Sequence, residues 1–233
     1  MKVNNVDIRK YNAKQLTVDF QPPSIAINSE WVEGAAIPQE FKTQVTFGTL
    51  NLTILFRGSG RSEIQRSMSE FLSLLVSKCE LQLDGYKGIY IGYLTSPSSE
   101  KTKTANKYIM TLQFNGYMTD SEVSNIYRGV KKIKFTTLGT RDTPCVIEVL
   151  PQVNLSKYVI TGFGNDDIVL TNLTKGKVIV IDGKTGTVTE DGINKFADCD
   201  IWQFPILERK KENNISFSSS HCDITIHYNP MWL

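Results

Sequence analysis

The chain has 233 residues, 40% of them hydrophobic and 21% charged, which suits one large globular domain or two small ones. Its formal net charge of +2 argues against a nucleic-acid or membrane surface driven by bulk charge. The opening MKVNNVDIRKYNAK lacks the apolar centre of a signal peptide, and no run of about 18 apolar residues is present to cross a membrane as a helix.

In chain order, residues 3–20 predict two short strands around the polar turn at Arg9, Lys10, Tyr11 and Asn12. Pro22 and Pro23 then impose an extended stretch. Ile25-Ala26-Ile27 and Trp31-Val32 read as a weak strand or a covering segment. Residues 43–56 alternate well, with Val45, Phe47, Leu50, Leu52, Ile54 and Phe56 apolar. The phase changes near Gly48, which predicts a hairpin or one bent strand.

One helix is expected, over residues 62–78. Ser62 and Gln65 have the spacing of a capping box, and Ile64, Met68, Phe71, Leu72 and Leu75 recur on one stripe that should pack on the adjacent sheet. A strand follows from Cys79, turned at Asp84-Gly85. Residues 86–118 predict a long hairpin, with Ile89, Ile91 and Tyr93 alternating outward and Tyr108, Met110, Leu112 and Phe114 alternating back. Between them Ser96, Pro97, Ser98, Ser99, Glu100, Lys101, Thr102 and Lys103 form a polar stretch without apolar anchors. Such a stretch is either a free tip or an arm that reaches a neighbour.

A polar break at residues 120–125 and a basic segment at residues 127–134 place a domain boundary near residue 130, giving domains 1–130 and 131–233. Beyond it every element reads as β, and many short strands with turns between them predict a sandwich or jelly roll. Among them is a hairpin over residues 178–188 with an Asp182-Gly183 turn.

Motifs for chemistry are weak. Gly183-Lys184-Thr185 imitates the end of a phosphate loop, but Val178 stands where a glycine is needed and no helix follows. Gly162-Phe163-Gly164 lacks the rest of a dinucleotide site, and Asp166-Asp167 lacks the alternating ligands of a calcium loop. Cys199, His221, Cys222 and His227 match no zinc spacing, and no cofactor is expected. Asp198 and Asp200 near Trp202 are conceivable as a glycosidase pair, but positions i and i+2 are common on a solvated strand face. Trp202, Tyr158 and Tyr228 are able in principle to stack on sugars, although a tryptophan docked in the core is the commoner outcome. The cysteines Cys79, Cys145, Cys199 and Cys222 are scattered, as expected of free thiols in a reducing cytosol.

The chain ends on DIWQFPILERKKENNISFSSSHCDITIHYNPMWL. Residues 214–218 and 222–228 alternate with period two, which predicts two half-buried strands closing a last hairpin. Ile215 and Phe217 face one way, and Cys222, Ile224, Ile226 and Tyr228 share a face on the next strand. Arg209, Lys210 and Lys211 mark a charged turn before them.

This ending resembles the C-terminal signature of distal tail proteins from long-tailed, non-contractile phages and prophages of Gram-positive hosts. The matching positions are Trp202, Phe204, Pro205, Leu207, Asn214, Ile215, Phe217, Asp223, Ile224, Ile226, Tyr228, Pro230 and Trp232. The resemblance implies the short form of that family, mainly β with one helix. It implies an N-terminal β-sandwich with a helix and a long hairpin arm, then a galectin-like jelly roll. It further implies a structural virion protein of the tail, not an enzyme, made in the host cytoplasm. Such a protein forms a hexameric ring at the end of the tail tube, meets the tube and the tail-tip hub, and anchors receptor-binding or other baseplate proteins. Under that resemblance residues 96–103 belong to the arm that joins subunits, and Arg209, Lys210 and Lys211 face the attached partner. A carbohydrate-binding adhesion module of galectin-like fold is the alternative reading.

Overall fold

The computed structural model describes the chain except at Ala105, Asn165, Lys210 and Leu233, with the backbone alone at Asn28 and residues 40–43. It is mainly β, and the one α-helix among the described residues is Arg61–Ser73. Two compact units are present, Met1–Thr119 and Asp120–Trp232. The division thus falls before the strand Val123–Arg128, which pairs along its length with Cys222–Tyr228 and goes with the second unit.

The first unit is built on an antiparallel sheet. Its strand order is Val6–Asp7, Lys2–Val3, Cys79–Gln82, Ile89–Lys101, Lys107–Thr119, Gly48–Arg57 and Ala13–Gln21. Alternation decides which face is buried. Leu50, Leu52, Ile54 and Phe56 all point inward, and each lies opposite an equally buried partner: Phe114, Leu112, Met110 and Tyr108. The break near Gly48 is sharper than a bend. Gln39–Val45 pairs with Ile25–Glu30 in a separate two-stranded sheet, so residues 43–56 neither form one strand nor pair with each other.

The helix covers the inner face with Ile64, Met68 and Phe71, Leu75 is buried just past its end, and Leu72 lies at the margin of that stripe. Phe71 meets Phe56 edge to face at 5.6 Å and Tyr11 at 5.9 Å. Burying such a ring contributes roughly 1.5–3 kcal/mol. The expected capping box does not form. Gly60 is the N-cap, and Ser59, one residue earlier, donates from its backbone N and its Oγ to the Glu63 carboxylate. The helix also stops at Ser73 rather than at residue 78. The Leu74 and Leu75 amides bond three residues back, to Phe71 and Leu72, which tightens the last turn and ends the α-helical ladder.

The second unit is a two-sheet sandwich. One sheet runs Val123–Arg128, Cys222–Tyr228, Thr143–Pro151, Ile179–Asp182, Thr187–Glu190 and Ile193–Asn194; Ile206–Leu207 pairs with the start of Thr143–Pro151. The other runs Lys132–Thr136, Glu212–Phe217, Leu155–Thr161, Ile168–Leu173 and Cys199–Asp200. Cys145, Ile147, Val149, Ile224 and Ile226 from the first sheet share one core with Tyr158, Ile160, Ile215 and Phe217 from the second. Tyr158 stacks on Phe217 at 6.3 Å.

The last two long strands are therefore not a hairpin. Glu212–Phe217 and Cys222–Tyr228 lie in different sheets, and the link between them arches across the core. Each strand has one apolar face, and the arch turns the two faces toward one shared interior. The Asp182-Gly183 signal does mark a hairpin, closed by a four-residue turn. Asp182 Oδ1 accepts from the Lys184 and Thr185 amides at 2.7 and 3.2 Å, and Gly186 takes φ 72°. Gly183-Lys184-Thr185 belongs to that turn.

Candidate interaction surfaces

No helix among the described residues is long and apolar enough to cross a membrane. Among the described residues of the first unit, exposed apolar side chains gather on the strand Ile25–Glu30 and in the link from it to Gln39–Val45. These strands pair with each other and with no other strand among the described residues. Pro22 and Pro23 set the chain extended before them. At the base, Ser24 and Thr46 hold the two arms together: the Ser24 amide donates to Thr46 Oγ1 and the Thr46 amide to Ser24 O, both at 3.0 Å. Beyond that clamp Ile25, Ile27, Trp31 and Ile37 are 60%, 54%, 65% and 73% exposed. Sequence reasoning missed this hairpin because Ile25 and Ile27 give only a short alternation and residues 31–38 give none. The available signal was apolar side chains following two prolines with no cation among them.

The polar stretch expected as an arm is mostly strand. Ser96, Pro97, Ser98, Ser99, Glu100 and Lys101 pair in order with Gln113, Leu112, Thr111, Met110, Ile109 and Tyr108. Thr102 and Lys103 enter a short turn, in which Thr102 Oγ1 donates to Lys107 O and accepts from the Thr104 amide. Pairing here needs no apolar anchors, because the opposite strand is already fixed on its other side by Gly48–Arg57. The outer edge is covered by Cys79–Leu81 only as far as Gly92. Exposed serines, Pro97 and charged side chains line the rest, a composition that discourages strand addition.

On the second unit, the basic turn is partly neutralised. Lys211 Nζ sits 2.6 Å from Glu208, and the Arg209 amide donates to Asp142. Lys210 lies outside the described residues. Trp202, expected in the core, is 85% exposed. Pro205 and Leu207 take the buried positions of that segment, and Ile201 packs against the core. Ile193 and Phe196 are also exposed, and Phe196 lies 6.4 Å from Phe204. Trp232 is anchored by a polar contact, its Nε1 donating to Asp120 at 2.9 Å.

The groups weighed for chemistry do not converge. Asn172 and Lys195 both bond Asp198 and hold its carboxyl below the usual range, which suits a fixed anion and not a general acid. Burial pushes the Cys199 and Cys222 thiols up to about 11, so neither is an ionised nucleophile at neutral pH. His221 Nδ1 is bonded to Ser219, and His227 lies between Glu122 and Glu148 at 3.4 and 3.5 Å. Among the described residues no three His, Cys, Asp or Glu side chains are placed to hold a metal ion.

The chain is mainly β and divides into two units. Residues 138–232 match the family model described as the siphovirus-type tail component, C-terminal domain, of the SPP1 Dit type. Over nearly the whole chain the fold is similar to the crystal structure of the Dit protein (gp 19.1) of phage SPP1. The TM-score is 0.78 at 12% identity, covering 99% of this chain and 98% of that one. That protein is described as a paradigm of the hub adsorption apparatus in phages infecting Gram-positive hosts. A chain of the phage p2 baseplate, in its activated conformation with strontium, matches at a TM-score of 0.50 and 14% identity over 95% of this chain and 92% of that chain. No curated protein sequence matches significantly.

Proposed function

We propose that this chain is a structural hub protein at the distal end of a long, non-contractile phage tail. Copies close into a ring, a hexamer on the family's pattern, between the tail tube and the tail-tip hub. The first unit forms the ring. The second, a sandwich of galectin-like type, carries a receptor-binding or baseplate protein, with the segment Glu208–Asn214 and its Arg209, Lys210 and Lys211 at the contact. The role is geometric, not catalytic, and its place is the virion tail. The observation that carries this reading is the likeness of fold to the SPP1 hub protein along both chains almost entirely. The joining arm on this reading is the hairpin Ile25–Val45, whose Ile25, Ile27, Trp31 and Ile37 side chains are exposed, in preference to residues 96–103.

Immunogold labelling of particles, or a density map of the tail tip, tests the placement. Ring-number copies at the tail end are expected; particles without label refute the assignment. The exposure of both Trp202 and Phe196 on the second unit favours one second reading, glycan binding by that unit. Calorimetry against purified wall polysaccharide separates the two. No heat is expected, and saturable binding that Trp202→Ala abolishes would move the assignment to an adhesion module.

A further inference from the structure

The first unit carries a basic hollow at one end of its sheet. Lys2, Asp7, Arg9, Lys14, Gln15 and Asp84 are among its lining, in a volume of about 580 Å³. An adjoining hollow of about 470 Å³ shares Arg9 and Lys14 and adds Arg57. Asp7 bonds Arg9 Nε at 2.9 Å and orients the guanidinium. Lys2, Lys14 and Arg57 leave the surface positive against Asp84, and all three are exposed.

The hairpin has the opposite character. From Ile25 to Val45 the sequence has Glu30, Glu33 and Glu40 against the single cation Lys42. Its tip joins the exposed Trp31, Val32 and Ile37 to the exposed Glu30 and Glu33.

The sheet register sets these surfaces at opposite ends. Ala13 pairs with Phe56 and Lys14 with Leu55 at the hollow, whereas Gln21 pairs with Thr49 next to the hairpin base at Ser24 and Thr46. From Lys14 to Gln21 the strand spans about 23 Å. An acidic, apolar projection at one end and a basic hollow at the other are complementary between copies set head to tail. Such a contact repeats and closes into a ring when the rotation permits.

We propose that the tip of hairpin Ile25–Val45 of one copy seats in the Lys14–Arg57 hollow of the next. Glu30 and Glu33 meet Lys14 and Arg57. Trp31 lies on the aliphatic stems and cationic heads of the same residues. The inference rests on the ring reading and adds the receiving surface to it.

The test is a charge exchange in the full chain, read by sedimentation and light scattering. Lys14→Glu with Arg57→Glu, and separately Glu30→Lys with Glu33→Lys, should each weaken self-association by roughly tenfold or more. The four changes in one chain should restore it, and raised salt should weaken the unmodified assembly. In the unmodified chain and in tails that contain it, a zero-length carbodiimide should join Lys14 of one copy to Glu30 or Glu33 of another. Normal assembly of the Lys14→Glu, Arg57→Glu chain, together with loss of assembly when residues 30–38 are removed, overturns the hollow and leaves the ring standing. A chain that stays monomeric and gives no crosslink in tails overturns both.

Discussion

The first unit contains two hairpins that differ in nearly every respect. Ile89–Lys101 with Lys107–Thr119 is long, polar at its far end and built into the sheet; Ile25–Glu30 with Gln39–Val45 is short, apolar and a sheet by itself. Polarity alone nominates the first as the free arm. In the structure the polar hairpin is paired into the large sheet and the apolar one forms a sheet by itself, because pairing depends on the neighbouring backbone and not on whether side chains are apolar. Serines and lysines are held in a ladder once the neighbouring strand is fixed, while isoleucines and a tryptophan stay in water when no surface covers them. The lesson is that uncovered apolar surface, more than polar length, marks a joining element.

The sharpest way to break this comparison is at the glycines that join the long hairpin. Gly92 and Gly116 lie opposite each other, and a Cβ on Gly116 would come 2.1 Å from the Ile91 carbonyl oxygen. Gly116→Ala should therefore force the strands apart and cost on the order of 3 kcal/mol or more, visible as a large drop in Tm. An unchanged Tm would mean that the long hairpin is not integral to the sheet.

Next in size is deletion of residues 96–106. It strips one side of Tyr108–Gln113 of its ladder, so destabilisation of about 1–3 kcal/mol is expected in chemical denaturation. A deletion that melts like the parent would return this segment to the role of a free arm.

Replacing residues 30–38 by a short turn should shift Tm little, within about 0.5 kcal/mol, since their side chains are mostly exposed. It should nonetheless abolish assembly in light scattering. Assembly that survives removes the hairpin from the interface.

The smallest effect concerns acid. Arg9 holds the Asp7 carboxyl down to about 2, below its ordinary value, through a side-chain hydrogen bond. A depressed carboxylate contributes stability that is present above its unfolded pKa and lost as pH falls through the folded one, here between about pH 4 and 2. Tm measured over that window should fall less steeply for Asp7→Asn than for the parent. Parallel curves would show that the exposed pair contributes nothing measurable.

Much of the architecture was legible in the chain. Alternation at Leu50, Leu52, Ile54 and Phe56, and at Cys222, Ile224, Ile226 and Tyr228, states a face directly, and those faces are the ones buried. The helical stripe at Ile64, Met68 and Phe71 is equally explicit, because period 3.6 and one-sided burial are the same fact seen twice. Helix ends were less legible. Ser62 has the right spacing for a cap, yet Gly60 takes the N-cap position and the Glu63 carboxylate bonds back to Ser59 instead. Trp202 shows the same limit: its segment is apolar but for Gln203, and which apolar member turns outward depends on space already taken by Pro205 and Leu207.

What the sequence determined by itself was therefore periodic: strands, a helix, their apolar faces and a predominantly β chain. Side-chain period is a property of the local backbone, so it is written residue by residue. What only the tertiary structure decided was pairing. The same alternation serves a hairpin or an arch, and only the sheets show that Glu212–Phe217 and Cys222–Tyr228 cross a core instead of lying side by side. The same polar run serves a loop or a strand, and only the fixed neighbour Lys107–Thr119 makes Ser96–Lys101 a strand. Pairing joins residues distant in the chain, and its energy lies in contacts that no local window contains.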